Sequence, residues 1–69
     1  MRYSELTRKL RRLGIESRRQ ARGSHEVWWD PKRELYTLIP YHRSREISKK
    51  TLAIIVRDLG LKEEDLEGL

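Results

Sequence analysis

The histidine at position 25 is the residue of this chain best placed to do proton-transfer chemistry. It ends the run Gly23-Ser24-His25, directly before a strand-like segment that starts near Val27, so one imidazole lies where a turn leads into a strand. An imidazole has an unperturbed pKa of about 6.5, which leaves both protonation states populated near neutral pH. His25 is therefore a candidate general acid and base. The alternative is a histidine that only begins a strand and does no chemistry.

Groups that bind phosphate accompany this histidine. Arg22 precedes it by three residues, and Lys49 and Lys50 begin a predicted second helix. The backbone amides of Gly23 and Ser24 are further donors to an anion. Their proximity in sequence makes them candidate phosphate-binding groups beside the imidazole, although the residues alone favour a histidine that does no chemistry.

Other classes of site are disfavoured by composition. The chain has no cysteine, so a disulfide and a thiol nucleophile are both excluded. No spacing of histidines and carboxylates is typical of a metal site, so we predict neither metal nor cofactor. The second histidine, His42, is either a paired acid or a loop residue that fixes the turn after Pro40.

The charge of the chain points to a polyanionic partner. The net charge is +5, and it divides into +8 over residues 1–50 and −3 over the last 19 residues. Nucleic acid is the commonest partner of such a surface. The basic runs 8–12 and 18–22 are interpreted either as phosphate contacts or as a solvated face.

Length and hydropathy predict one small domain over residues 1–69. No apolar run approaches the roughly 20 residues that span a bilayer, and the first residues do not resemble a signal peptide. We therefore expect a cytoplasmic protein without membrane contact.

Apolar periodicity predicts two amphipathic helices. The first has Ser4 as its N-cap and a glycine stop at Gly14; the second has Ser48 as its cap and a stop at Gly60. Their buried stripes are Tyr3, Leu6, Leu10 and Leu13 in the first helix, and Leu52, Ile55, Val56 and Leu59 in the second.

Three short segments between the helices, 15–20, 24–29 and 35–39, are predicted strands that form two successive antiparallel hairpins. A surface loop over 41–47 follows. The fold class is α+β in the order α-β-β-β-α, with both helices on one face of the sheet and the other face open. A terminal turn at 62–66 has Leu61, Leu66 and Leu69 as candidate anchors. Ile54 lies off the buried stripe of the second helix and is covered either by this terminal segment, which we favour, or by a partner.

This order resembles the HicA family of toxin mRNA interferases, whose fold is similar to the double-stranded-RNA-binding domain. Nearly the whole chain takes part: the matching segments are Arg8 to Ile15, Arg22 to His25, Pro40-Tyr41-His42, and Thr51-Leu52 through Leu59-Gly60-Leu61. The resemblance implies a type II toxin that cleaves messenger RNA without the ribosome. It also implies a single catalytic histidine, which maps to His25, and neutralisation by a HicB antitoxin.

We therefore predict a metal-independent endoribonuclease whose partners are RNA and a HicB-like antitoxin, with no direct DNA binding by this chain alone. Strand alternation places one tryptophan in the core and one on the surface. We predict that Trp28 stacks on an RNA base; contact with a protein partner or cross-strand packing is equally compatible. The alternative function is a non-catalytic RNA-binding module of the same shape. A third interpretation is an interaction protein that uses Trp28 and Ile54 as contacts.

Overall fold

The computed structural model of the chain describes residues 1–23, 25–41 and 46–68, with the backbone alone for residues 19–22. The elements are, in chain order, α1 Tyr3–Arg12, β1 Glu16–Arg22, β2 His25–Asp30, β3 Leu35–Pro40, α2 Lys49–Asp58 and a 3-10 turn Glu63–Asp65. The predicted order α-β-β-β-α is confirmed. Within the described ranges, no helix combines the length and the apolarity needed to cross a membrane.

Both helices end where the sequence predicts. At the end of α1, the amide of Ile15 donates to the carbonyl of Leu10 over 2.9 Å, and Gly14 has a φ of 85°. α2 ends in the same way at Gly60, which has a φ of 66°. Glycine adopts this left-handed conformation without the steric cost of a Cβ. The predicted cap of α2 is also confirmed, because the Ser48 Oγ accepts from the amide three residues later over 3.2 Å.

The start of α1 differs from the prediction. Arg2, and not Ser4, is the N-cap, and it makes no side-chain cap bond. A bridge between Arg2 and Glu46 holds this end instead, and the amide of Ile47 donates to the carbonyl of Met1 over 2.7 Å. The predicted surface loop 41–47 is therefore wrong at its end, since Ile47 is buried in the core. Residues 42–45, which include His42, lie outside the described residues.

The sheet has the order β1-β2-β3, with antiparallel pairing throughout and β2 in the centre. β1 continues to residue 22, beyond its predicted end at residue 20, and so shortens the connection to β2. The β1–β2 register shifts twice, between residues 17 and 19 and between residues 20 and 22. The β2–β3 register is regular along its whole length.

Both helices cover the same face of the sheet, as predicted. From α1, the Tyr3 hydroxyl donates to Glu26, which shares the inner face with Trp28. From α2, Asp58 accepts a hydrogen bond from the Thr37 hydroxyl over 2.9 Å. Trp28 and Thr37 are cross-strand partners, so these contacts lie on one side of the sheet.

The core lies between the helices and this inner face. Its buried residues are Tyr3, Leu6, Leu10, Ile15, Trp28, Ile39, Ile47, Ile55, Val56, Leu59, Leu61 and Leu66. Leu13 and Leu52, at the edges of the helix stripes, are partly buried against this cluster. The terminal turn is anchored by Leu61 and Leu66 as predicted, whereas Leu69 lies outside the described residues. The turn does not cover Ile54, which remains 42% exposed.

Candidate functional site

His25 is the first residue of β2, and its side chain is exposed. Its register partners are Arg22 on β1 and Pro40 on β3, so the histidine lies at one end of the central strand. Gly23, with a φ of 52°, supplies the left-handed residue of the turn before it. The position of the histidine agrees with the sequence analysis. The side chains of Arg22 and Ser24 lie outside the described part of the chain.

The outer face of the sheet continues from the histidine as an apolar surface. Val27 and Trp29 share this face with His25, and their register partners on β3 are Leu38 and Tyr36. The surface extends about 13 Å from the histidine, at roughly 3.3 Å per residue. Neither helix covers this surface, since both pack on the opposite face of the sheet.

A cation lies over this outer surface. The guanidinium carbon of Arg18 is 5.7 Å from the centroid of the Trp29 ring. Arginine in this position is attracted to the face of the indole and remains available to an anion. The outer face therefore carries an imidazole at one end and an aromatic ring with a cation at the other.

Trp28 is not part of this surface, which corrects the prediction of a stacking role. It is fully buried, with Arg11 of α1 5.2 Å from its ring centroid. Its Nε1 donates to Glu26 over 3.1 Å. An indole enclosed in this way cannot stack on a base, and Trp29 is the tryptophan on the open side. The interpretation of Trp28 as a protein contact fails for the same reason.

Glu26 follows the histidine in sequence but serves the opposite face. It accepts hydrogen bonds from the Tyr3 hydroxyl and from Trp28. Burial, the hydrogen bond to Glu26 and its negative charge raise the pKa of Tyr3 far above its usual value, which keeps the phenol protonated as a donor. The two hydrogen bonds hold the Glu26 carboxylate on the side of the sheet that faces the helices. The sequence analysis did not predict this role of Glu26, although the alternation of side chains along β2 places Glu26 on the face opposite His25.

The two lysines at the start of α2 are exposed. The helix ends beside the first half of β3, where the Thr37 hydroxyl donates to Asp58, and its middle passes the middle of that strand. α2 therefore runs antiparallel to β3, and its N-terminus lies toward the end of the sheet that carries the histidine. Lys49 and Lys50 are cations on that side of the molecule.

Within the described ranges, no group of three or more histidine, aspartate or glutamate side chains is arranged to hold a metal ion. The site that the described residues form consists of an exposed imidazole, an open aromatic surface and cations.

Comparison with known proteins identifies the family. Residues 3–61 match the family described as "HicA toxin of bacterial toxin-antitoxin". No curated protein and no solved structure matches the chain. The matched region begins with α1 and ends just after α2, and so includes His25 and the whole sheet. The match covers well over half of the chain, so the protein belongs to the HicA toxin family of bacterial toxin–antitoxin systems.

Proposed function

We propose that this toxin is a ribosome-independent mRNA interferase that cleaves RNA without a metal ion, with His25 as its general acid and base. In this proposal a HicB-like antitoxin neutralises it. The observation that carries the proposal is the position of His25, exposed at the end of β2 on the uncovered face of the sheet. Family membership adds the toxin role and an antitoxin partner.

The reaction is a transesterification within the RNA chain. The ribose 2′-oxygen forms a bond to phosphorus and the bond from phosphorus to the 5′-oxygen breaks. A base takes the 2′-proton, and an acid protonates the departing 5′-oxygen. One imidazole can do both in sequence, since it is regenerated when it passes the proton on. The products are a 2′,3′-cyclic phosphate and a free 5′-hydroxyl, and such catalysis contributes about 10²- to 10⁴-fold in rate.

Cations stabilise the charge that develops on phosphorus. Arg22 is the register partner of the histidine, and the amides of Gly23 and Ser24 belong to the turn beside it. We assign these groups, with Lys49 and Lys50, to binding the phosphates of the RNA. Trp29 replaces Trp28 as the residue that stacks on a base, with Arg18 above its ring.

Incubation of the purified toxin with a labelled single-stranded RNA in EDTA tests the proposal. We expect fragments that end in a cyclic phosphate, identified by mass spectrometry as lighter by one water than the hydrolysed end. His25→Ala should reduce the cleavage rate by at least about 100-fold. An RNA with a single 2′-deoxyribose at the cleaved position should resist cleavage there, and an all-DNA strand should not be cut.

His25→Asn is the matched control for structure, since it retains a polar side chain that cannot exchange protons near neutral pH. Circular dichroism of both variants confirms that they are folded. Wild-type protein that binds RNA without cutting it supports the non-catalytic module. Equal cleavage rates for wild type and His25→Ala contradict the assignment of the histidine.

A further inference from the structure

The two edges of the sheet differ in how they are protected. β1, at one edge, carries the charged residues Glu16 and Arg18, and its register shifts twice against β2. Charges and irregular register are the usual features that prevent an edge strand from pairing with another chain. β3, at the other edge, has the sequence LYTLIP, without a charged residue, and its register is regular. Within the described residues, no strand pairs with its outer side.

Among the described residues, the most exposed large apolar side chains lie on β3 and on the neighbouring helix α2. Tyr36 is 59% exposed, Leu38 is 46% exposed, and Ile54 of α2 is 42% exposed. These residues line a groove between β3 and α2, together with Thr37 and Asp58. The hydrogen bond between Thr37 and Asp58 satisfies both polar groups of this lining. The groove thus offers an apolar surface beside a row of backbone groups that can accept a strand.

Exposed cations flank this groove at both ends. Arg57 and Arg33 lie near its Leu35 end, with side chains 76% and 48% exposed. Arg57 forms an ion pair with Asp58 over 3.6 Å and Arg33 with Asp30 over 3.0 Å, so they are partly neutralised, whereas Lys49 and Lys50 have no ion pair within the described residues. Lys49 and Lys50, at the start of α2, lie toward the opposite end. A segment that is apolar in its middle and acidic near its ends is complementary to this pattern.

A second copy of the chain does not fit this pattern. Antiparallel pairing of two β3 strands places the arginine end of one copy against the lysine end of the other, and each copy has a net charge of +5. The area is also small. A stable interface buries about 800 Å² per partner, whereas the total surface of the chain is 5010 Å² and the groove presents three partly exposed apolar side chains. An acidic partner that also covers neighbouring basic surface meets this requirement.

We propose that the antitoxin inserts an extended segment along β3 as a fourth strand of the sheet. The segment alternates apolar and outward-facing residues, places apolar side chains against Leu38 and Ile54, and carries acidic residues near its ends. This inference rests on the antitoxin partnership of the proposed function and not on the ribonuclease chemistry. Because Pro40 pairs with His25, the added strand ends about two strand spacings, or ~10 Å, from the backbone of His25. The same contact thereby brings the partner to the end of the sheet that carries His25.

Binding of the HicB-like antitoxin to the full-length toxin, measured by calorimetry, tests the inference. Ile54→Glu places a negative charge in the groove, and it should weaken binding at least 10-fold. Ala53→Glu is the matched control, because it adds the same charge to an exposed position on the same helix and should bind like the wild type. Ile54 is partly exposed and lies outside the proposed RNA site, so its substitution should leave folding and RNA cleavage unchanged.

Hydrogen exchange distinguishes strand addition from simple surface contact. The amides of β3 that face the free edge should gain protection when the antitoxin binds, and those of β1 should not. Equal affinities for Ile54→Glu and Ala53→Glu, or no added protection in β3, overturn the inference. Protection of β3 by self-association, seen as a concentration-dependent mass that Ile54→Glu abolishes, indicates a second copy and also overturns it. Protection of the β3 edge amides by RNA alone also overturns the inference. If the wild type binds antitoxin in this way but cuts no RNA, the proposed ribonuclease function fails and the docking surface stands.

Discussion

At the scale of single residues, the side of β2 on which a side chain emerges decides what it can do. His25 and Trp29 lie on the open face, whereas Glu26 and Trp28 point toward the helices. The strand therefore carries two functions in alternate positions. Even positions face the helices, where Glu26 accepts a hydrogen bond from Tyr3 of α1 and Trp28 is buried, and odd positions lie on the face that the helices leave uncovered.

Trp29 should contribute to RNA binding by stacking. Base–aromatic stacking is worth about 1 to 3 kcal/mol, so Trp29→Ala should weaken binding of a single-stranded RNA by about 5- to 150-fold. Trp29→Phe retains an aromatic face and should recover most of the affinity. Anisotropy of a labelled RNA measures these values, with His25→Ala in every protein to prevent cleavage. Equal affinities for the alanine and phenylalanine variants would contradict stacking.

Asp30 fixes the turn between β2 and β3. Its carboxylate accepts from the amide of Lys32 over 2.9 Å and from the Arg33 guanidinium over 3.0 Å. Burial acts to raise the pKa of this carboxyl, but the hydrogen bonds from Arg33 and the turn amides outweigh it and lower the pKa. A lowered pKa in the folded state means that the ionised group stabilises the fold above its unfolded pKa, near 3.9. That contribution is lost as the pH falls through the folded value.

Asp30→Asn keeps the acceptor for the turn amide and removes the charge. We expect it to lower the free energy of unfolding by about 1–2 kcal/mol at pH 7, since Arg33 is half exposed. The difference should shrink as the pH falls below about 4. Urea denaturation at both pH values measures it. Glu34→Gln removes an exposed charge from the same turn and should have little effect. A cost for Asp30→Asn that does not depend on pH would argue against this role of the charge.

At the scale of elements, the two glycine stops form a matched pair with different surroundings. A Cβ added at Gly14 meets no atom within 4 Å, whereas one added at Gly60 lies 3.1 Å from a methyl carbon of Leu35. Both substitutions force a left-handed residue with a side chain, which costs about 1–2 kcal/mol. Gly60→Ala should therefore destabilise the protein more than Gly14→Ala.

Urea denaturation of the two alanine variants measures this difference. Leu35→Ala provides the control, because removing the crowded methyl groups should make Gly60→Ala cost no more than Gly14→Ala. Equal costs in the wild-type background would show that Leu35 moves aside without penalty.

The same elements show what the sequence can and cannot predict. Helix ends depend on local chemistry, so the stops at Gly14 and Gly60 and the cap at Ser48 were predictable. Which tryptophan is buried depends on which face of the sheet the helices cover, and tertiary contacts determine that. A catalytic histidine must be exposed, and Trp29 lies on the same face of β2 as His25 because the two are four positions apart. Trp29 was therefore predictable as the exposed tryptophan, and the prediction that named Trp28 did not use this relation.

Contacts between distant segments were the other source of error. Ile47 is buried in the core, and its amide donates to the carbonyl of Met1, a pairing across 46 positions that no local pattern contains. Ile54 is exposed because the terminal turn packs elsewhere through Leu66. Local periodicity predicts an apolar face but does not identify the segment that covers it.

At the scale of the whole molecule, the basic charge is divided between two faces of the sheet. Exposed arginines of α1, such as Arg8, lie on the helical side, whereas Arg18 lies over the open face beside Trp29. Long-range attraction of RNA depends on all of these charges together. Apart from Lys49 and Lys50 at the start of α2, the contacts in the bound state should lie on the face of the sheet that carries His25.

The salt dependence of RNA binding separates these contributions. Each phosphate neutralised on a single strand adds about 0.7 to the slope of log affinity against log salt. Arg18→Gln should therefore reduce the slope by about 0.7, because it removes a cation from the open face. Arg8→Gln removes the same charge from the helical side and should leave the slope unchanged, although both variants have the same net charge. Equal changes in the two slopes would mean that the affinity for RNA depends on the net charge of the protein and not on the face that carries each charge. A larger change for Arg8→Gln would place the RNA on the helices, away from the imidazole, and so contradict the assignment of the open face as the catalytic surface.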